Sequence, residues 1–269
     1  MQTSLNRLST EQIAQYKKEG YIIYHEPIFP ESKFNALKEH FETELKNLPE
    51  GFRPEAMDVP HFLDTKLFEW LFADEVLDLV EQLIGPDICL WSSHFICKPQ
   101  GDGKRVPFHE DSSYWGKIIS PMEVVTVWLA IDESSPENGC MYLVPGSHNN
   151  GFSTYEDVPD KETSVFPNEI VKPQRFEEKA IPCILKPNQA SLHHAKIIHG
   201  GPANKSQKRR CGYTMRYMSA ACKFDSDKYS NHKIYLARGR NLANNLLGDP
   251  TKSYSDIAHW RQTNSRGGH

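Results

Sequence analysis

The stretch MEVVTVWLAIDESSPENGCMYLVPGSH, Met122 to His148, decides what kind of fold this chain can adopt. Met122–Asp132 is rich in β-branched and aromatic residues, which predicts a strand. Ser, Pro, Asn and Gly punctuation then interrupts it, and CMYLVPGSH predicts a second strand closed by a Pro-Gly turn. Working outward, ICLWSSHFICK (Ile88–Lys98), KAIPCIL (Lys179–Leu185), ASLHHAKIIHGG (Ala190–Gly201) and CGYTMRYMSA (Cys211–Ala220) have the same texture. Before Asp87 the pattern is mainly helical, with a short strand-like run at Tyr21–Tyr24. Ser9 and Gln12 form a capping box ahead of a helix closed by Gly20, and Phe34, Leu37, Phe41 and Leu45 stripe a second helix over Glu31–Leu48. DEVLDLVEQLIG, from Asp74 to Gly85, predicts a third. Helices followed by many short strands imply an antiparallel sandwich or barrel with helices outside, not a doubly wound sheet.

Composition narrows the function classes. With 38% hydrophobic residues in 269, the chain can bury a sizeable core. A net charge of -4 and only short basic runs such as Lys208-Arg209-Arg210 argue against a nucleic-acid groove. No window has the apolar length of a membrane span, and the polar N-terminus lacks a secretory signal. The six cysteines form no CxxC pair and read as reduced, mostly buried thiols, which predicts a cytoplasmic protein. With no clear linker or repeat, 1–269 reads as one domain: helices to about 86, a β core over about 87–220, and a polar extension over about 221–269. The terminal TNSRGGH reads as disordered, and the polar segment Asn149–Glu178 as either a lid or an ordinary surface loop.

Chemistry concentrates in RVPFHEDSSYWG, Arg105–Gly116. On a strand, His109 and Asp111 share one face and Glu110 takes the other. The pair alone is weak, because 12 histidines and 35 acids give roughly one or two His-x-acid triplets by chance. His40-Phe41-Glu42, on a predicted helix, is such an accident. A further histidine from His193, His194 or His199 would complete a set of two histidines and one carboxylate. That set leaves iron positions open for a chelating cosubstrate and dioxygen, as in non-haem iron(II) oxygenases.

His109-x-Asp111, the Val125–His148 run, His199-Gly200 and Arg210 eleven residues on together resemble the phytanoyl-CoA dioxygenase family of 2-oxoglutarate-dependent oxygenases, over roughly Leu8–Met218. The resemblance implies a double-stranded β-helix, or jelly roll, with flanking helices. It implies that His109, Asp111 and His199 ligate iron(II), that Arg210 rather than Arg209 pairs with the distal carboxylate of 2-oxoglutarate, and that O2 is the oxidant. A guanidinium fork matches a carboxylate in a way that lysine cannot. Members often carry Ser after His-Gly; Gly201 stands there in this chain. Asp111 favours hydroxylation, since halogenating relatives have a small residue at that position.

Counting by two from Arg210 puts Gly212, Thr214 and Arg216 on one strand face, so Arg216 is a candidate for an anionic substrate group. Ser112 and Trp115 fall where relatives acting on small zwitterions contact substrate, Ser92 approaches the same region, and His94 is a candidate cosubstrate contact. Trp128 and His148 read as structural. Arg238 and Arg240 are either a closing element or a solvated basic face. The expected substrate is a small polar or anionic metabolite, an organophosphonate or amino-acid-like zwitterion, taken up by a monomer or homodimer without nucleic acid or membrane. Desaturation or cyclisation of a natural-product scaffold, zinc hydrolysis at the same facial site, and a non-catalytic jelly-roll binder are the alternatives.

Overall fold

The structure, a computed structural model, describes residues 6–256. Helix α1 (Thr10–Glu19) opens with the expected box: the Ser9 hydroxyl accepts from the Gln12 amide, and the Gln12 side chain accepts from the Ser9 amide. It closes on Gly20 at φ 83°, a left-handed cap. Helices α2 (Glu31–Lys46), α3 (Phe68–Leu71) and α4 (Asp74–Ile84) follow, and two single turns, α5 (Ser112–Trp115) and α6 (Gln174–Glu177), lie between strands.

The strands are β1 (Tyr21–Tyr24), β2 (Met57–Asp58), β3 (Ile88–Lys98), β4 (Val106–His109), β5 (Ile119–Ser120), β6 (Val124–Ala130), β7 (Tyr142–Leu143) and β8 (Tyr155–Asp157). Then come β9 (Asn168–Ile170), β10 (Ile181–Pro182), β11 (Ala190–His194), β12 (His199–Gly201), β13 (Arg210–Ser219), β14 (Lys223–Phe224) and β15 (Tyr235–Arg238). The major sheet runs β1-β11-β6-β13-β3-β15, with β2 on β3; the minor sheet runs β10-β7-β12-β4. Among the described residues the named strands pair antiparallel, and the fold is the expected jelly roll with helices outside.

Alternation along the central strands divides core from site. On β6, Val125, Val127 and Leu129 join the helices' apolar cluster, whereas Thr126 and Trp128 face a cavity between the sheets. On β13, Cys211, Tyr213, Met215 and Tyr217 face the helices, whereas Arg210, Thr214 and Arg216 face the cavity. Phe41 of α2 packs on Phe95 at 4.9 Å, and Phe95 stacks on Tyr213 at 4.0 Å, so the helical layer locks the back of the site-bearing strands. Gly212 is required there: a Cβ would meet the Trp128 ring at 2.1 Å.

Several expectations need correction. The major sheet reaches outside 87–220 at both ends, drawing β1, β2 and β15 from the flanks. CMYLVPGSH and KAIPCIL shrink to two-residue strands; Pro182 has no N–H for a ladder. Arg238 does not close over a substrate, because its guanidinium pairs with Asp74, Asp78 and Glu81 and ties β15 to α4. All six cysteines are buried and unpaired. No helix among the described residues is long and apolar enough to cross a membrane. TNSRGGH lies outside the described residues.

Candidate metal centre and its two cavities

β4 ends at His109, and Asp111 is reached through a helical turn at φ -53°, ψ -39°, not along a regular strand. The two side chains converge as expected, but a turn brings them together rather than pleat alternation. β12 pairs with β4 so that His199 stands opposite His109. His109, Asp111 and His199 are buried, and their donor atoms lie within 4.8 Å of one another. Each histidine Nδ1 sits beside a carbonyl two residues back, Pro107 O at 2.8 Å and Ile197 O at 3.0 Å. A carbonyl needs a donor, so Nδ1 carries the proton and the Nε2 lone pair is free. Those Nε2 atoms face Asp111 Oδ1 at 3.6 and 3.9 Å. The second oxygen, Oδ2, lies 3.4 Å from Arg216 Nε and 3.4 Å from the Thr126 hydroxyl. Burial pushes the Asp111 carboxyl up, but Arg216 above all reverses this and holds it well below the carboxylate range; burial lowers His199 to about 4. Two imidazoles with Nδ1 turned to backbone carbonyls and Nε2 toward a shared carboxylate, pre-aimed and without a thiolate, fit iron(II).

Arg210 lines the same cavity and is 3% exposed. Its guanidinium donates to Gly139 O at 3.1 Å and lies over the Trp128 ring at 5.4 Å, but among the described residues Nε has no partner and no carboxylate pairs with it. A buried cation without an anion is costly, and a ligand carboxylate would answer it. Arg209 is excluded from this role, since it points outward to Glu42 and Asp132. Gly201 cannot be the usual serine: a Cβ there would meet Cys140 O at 2.5 Å. His94 lines the cavity with Nε2 donating to Glu55 O at 2.9 Å, and Thr214 places its hydroxyl nearby, donating to His94 O.

Arg216 turns inward, as expected, yet is already engaged by Asp111 and lies over Trp115 at 5.3 Å. Ser92 is 3.4 Å from its Nη1, and both Ser92 and Trp115 line a second cavity of about 300 Å³. Ser112 lines neither cavity: it is fully buried, its amide held by Ala195 O at 2.9 Å, because the helical turn after Asp111 carries it inward. Trp128 packs as expected but also lines the site. Phe166, Val165 and Tyr114 line it too, and Phe166 packs edge-on against His109 at 4.8 Å. They were not foreseen, since Val165 and Phe166 lie in a loop without periodicity and Tyr114 in a single helical turn too short to show any.

Glu110 faces away from the ligands, but it is buried, not solvated. It accepts from the Ser153 amide and hydroxyl and from the Tyr155 hydroxyl, at 2.6–3.3 Å. With Arg105 paired to Asp160 and Glu169, it pins the 149–178 segment over the centre. His148 bonds Lys17 O at 3.2 Å and has no part in the metal cluster.

A jelly roll that aims two imidazoles, one carboxylate and a nearby buried arginine into one cavity defines the class of non-haem, 2-oxoglutarate-dependent oxygenases. The chain belongs to the phytanoyl-CoA dioxygenase (PhyH) family, whose profile matches residues 6–212. It is 29% identical over 167 residues to the peroxisomal phytanoyl-CoA dioxygenase of Homo sapiens, covering 60% of this chain and 48% of that protein. It is 31% identical over 141 residues to phytanoyl-CoA dioxygenase domain-containing protein 1 of Danio rerio, covering 52% and 47%. These matches span about half the length of those relatives. Among solved structures, the apo non-heme monooxygenase ThoJ is similar with TM-score 0.72, 19% identity and 92% of each chain covered. EctD from S. alaskensis with bound Fe gives TM-score 0.67, 17% identity, and 84% and 82% coverage. The likeness to both is one of fold.

Proposed function

We propose that this chain is an iron(II)- and 2-oxoglutarate-dependent oxygenase that hydroxylates a small polar metabolite, releasing succinate and carbon dioxide. The observation that carries the reading is one cavity holding both the His109/Asp111/His199 cluster and a buried, carboxylate-free Arg210. His109, Asp111 and His199 would hold iron(II), and Arg210, whose guanidinium lies over the Trp128 ring, would pair with the distal carboxylate of 2-oxoglutarate. When bound, the metal and cosubstrate supply the dioxygen activation needed to oxidise a C–H bond.

The chain's own residues supply geometry. Pro107 and Ile197 carbonyls fix the imidazole tautomers, while Arg216 and Thr126 orient Asp111 through its outer oxygen. Val165 and Phe166 exclude water above the ligands. His94 and Thr214 are placed to border the cosubstrate, in place of the hydroxyl that Gly201 lacks. Zinc hydrolysis would need a general base beside the metal, and Glu110 is committed to Ser153 and Tyr155. The second cavity, with Ser92 and Trp115 in its wall, suits a small metabolite at about 300 Å³. Because Asp111 already offsets Arg216, an amino-acid-like zwitterion fits better than an organophosphonate.

Anaerobic addition of iron(II) and 2-oxoglutarate to the folded protein is expected to give a weak visible charge-transfer band. No band would sink the oxygenase reading and leave a binding module. Arg210→Ala is expected to lose the band while still binding iron(II); a retained band would sink the cosubstrate assignment.

A further inference from the structure

The second cavity has a chemical character that the metal-centred one lacks. It shares Tyr114 with the metal-side cavity and is walled by Trp91, Trp115, Tyr229 and His232. The Trp91 and Trp115 rings are 5.8 Å apart, and Trp91 lies 4.2 Å from His232. One carboxylate, Asp58, lines this aromatic box. Among the described residues no lysine or arginine comes within ion-pair distance of it. Its neighbour is His94 Nδ1 at 3.6 Å, on a ring whose Nε2 already donates to Glu55 O and which burial keeps neutral, with its pKa lowered to about 3. Trp91 Nε1 and the Tyr114 hydroxyl are buried without partners. Trp91 itself is 2% exposed, so its unpartnered N–H belongs to a built wall and not to a surface ring.

The cations around the box are mostly spent. Lys228 pairs with Asp225 at 2.8 Å, and Arg216 pairs with Asp111. Lys117 is exposed and borders the cavity. A carboxylate that lines the same cavity as these rings attracts an ammonium by charge, and the ring faces add cation–π contact.

We propose that this cavity is the substrate pocket, and that Asp58, with Trp91, Trp115 and Tyr229, selects substrates carrying a protonated amine. The assignment of substrate rests on the oxygenase reading above, and it names the end of the zwitterion that the protein reads. Lys117 leaves a place for the accompanying acid group at the rim.

Binding to the metal-free, full-length chain tests this independently of turnover. Three size-matched probes, cyclohexylammonium, cyclohexanol and cyclohexanecarboxylate, are titrated while tryptophan fluorescence is followed. Cyclohexylammonium is expected to bind at least tenfold tighter than the other two, and Asp58→Asn to bring it down to the level of the alcohol. Equal or tighter binding of the carboxylate or alcohol, no binding by any probe, or an unchanged preference in Asp58→Asn overturns the proposal. Should Asp58→Asn not fold, the order of the three probes on the unchanged protein decides alone. Selective amine binding without the iron(II)–2-oxoglutarate band faults the oxygenase reading and leaves the amine pocket standing.

Discussion

At the scale of single residues, Gly201 shows how backbone proximity overrides a family habit. The neighbouring chain at Cys140 comes so close that any Cβ would lie 2.5 Å from its carbonyl oxygen. Restoring the usual serine by Gly201→Ser is therefore expected to damage the protein. Overpacking of this kind costs about 1–3 kcal/mol, which thermal or urea denaturation resolves. An unchanged stability would show that the Cys140 strand moves aside. Arg210 and Arg209 make the complementary point. Adjacent in sequence and identical in type, they differ only in strand face, so one is buried beside the cavity and the other joins Glu42 and Asp132 outside. Arg209→Ala is expected to leave the charge-transfer band intact, whereas Arg210→Ala abolishes it; loss of the band in both would mean the strand face was misassigned.

At the scale of elements, the 149–178 segment depends on one buried carboxylate for its position. Glu110 collects three donors from Ser153 and Tyr155, and Phe166, eleven residues beyond Tyr155, reaches His109. Glu110→Ala is expected to speed amide exchange across residues 153–170 while β6 and β13 stay protected, because the helices hold those strands from behind. Unchanged exchange in the segment would show that the Arg105 pairs suffice. Elements of this sort mark the limit of what the sequence made legible. The central strands, the capped first helix and the site histidines could be read, because periodicity, caps and motif spacing are local. Asp58, Phe166 and Glu110's anchoring role could not, because each acquires meaning only from a long-range contact. Asp111 is the instructive middle case: its partnership with His109 was legible, but the turn that creates it was not. Ser112 and Arg238 misled for the same reason, since local spacing says nothing about which surface closes over a side chain.

At the scale of the whole molecule, burying so many imidazoles ties stability to pH. Burial lowers His94 to about 3 and His194, His199 and His232 to about 4, and it lowers His61 and His193 as well. A histidine whose folded pKa lies below its ordinary value binds protons more readily when unfolded. Its stabilising contribution is complete above about pH 6.5 and is lost as pH falls toward the folded value. Each such proton contributes a slope of about 1.4 kcal/mol per pH unit across that window. Asp58 acts oppositely: burial raises it to about 6, so its share of stability declines as pH rises from about 4 to 6. One aspartate against six histidines leaves the sign with the histidines. The metal-free protein is therefore expected to hold a level melting temperature above about pH 6.5 and to lose stability steadily from there to pH 5. His194→Gln, at the half-buried end of β11 and outside the metal cluster, is expected to reduce that slope by about one proton. A stability profile that stays flat from pH 7 to 5 would mean that these imidazoles titrate in the fold as they do in the unfolded chain, and that burial does not hold them neutral for iron.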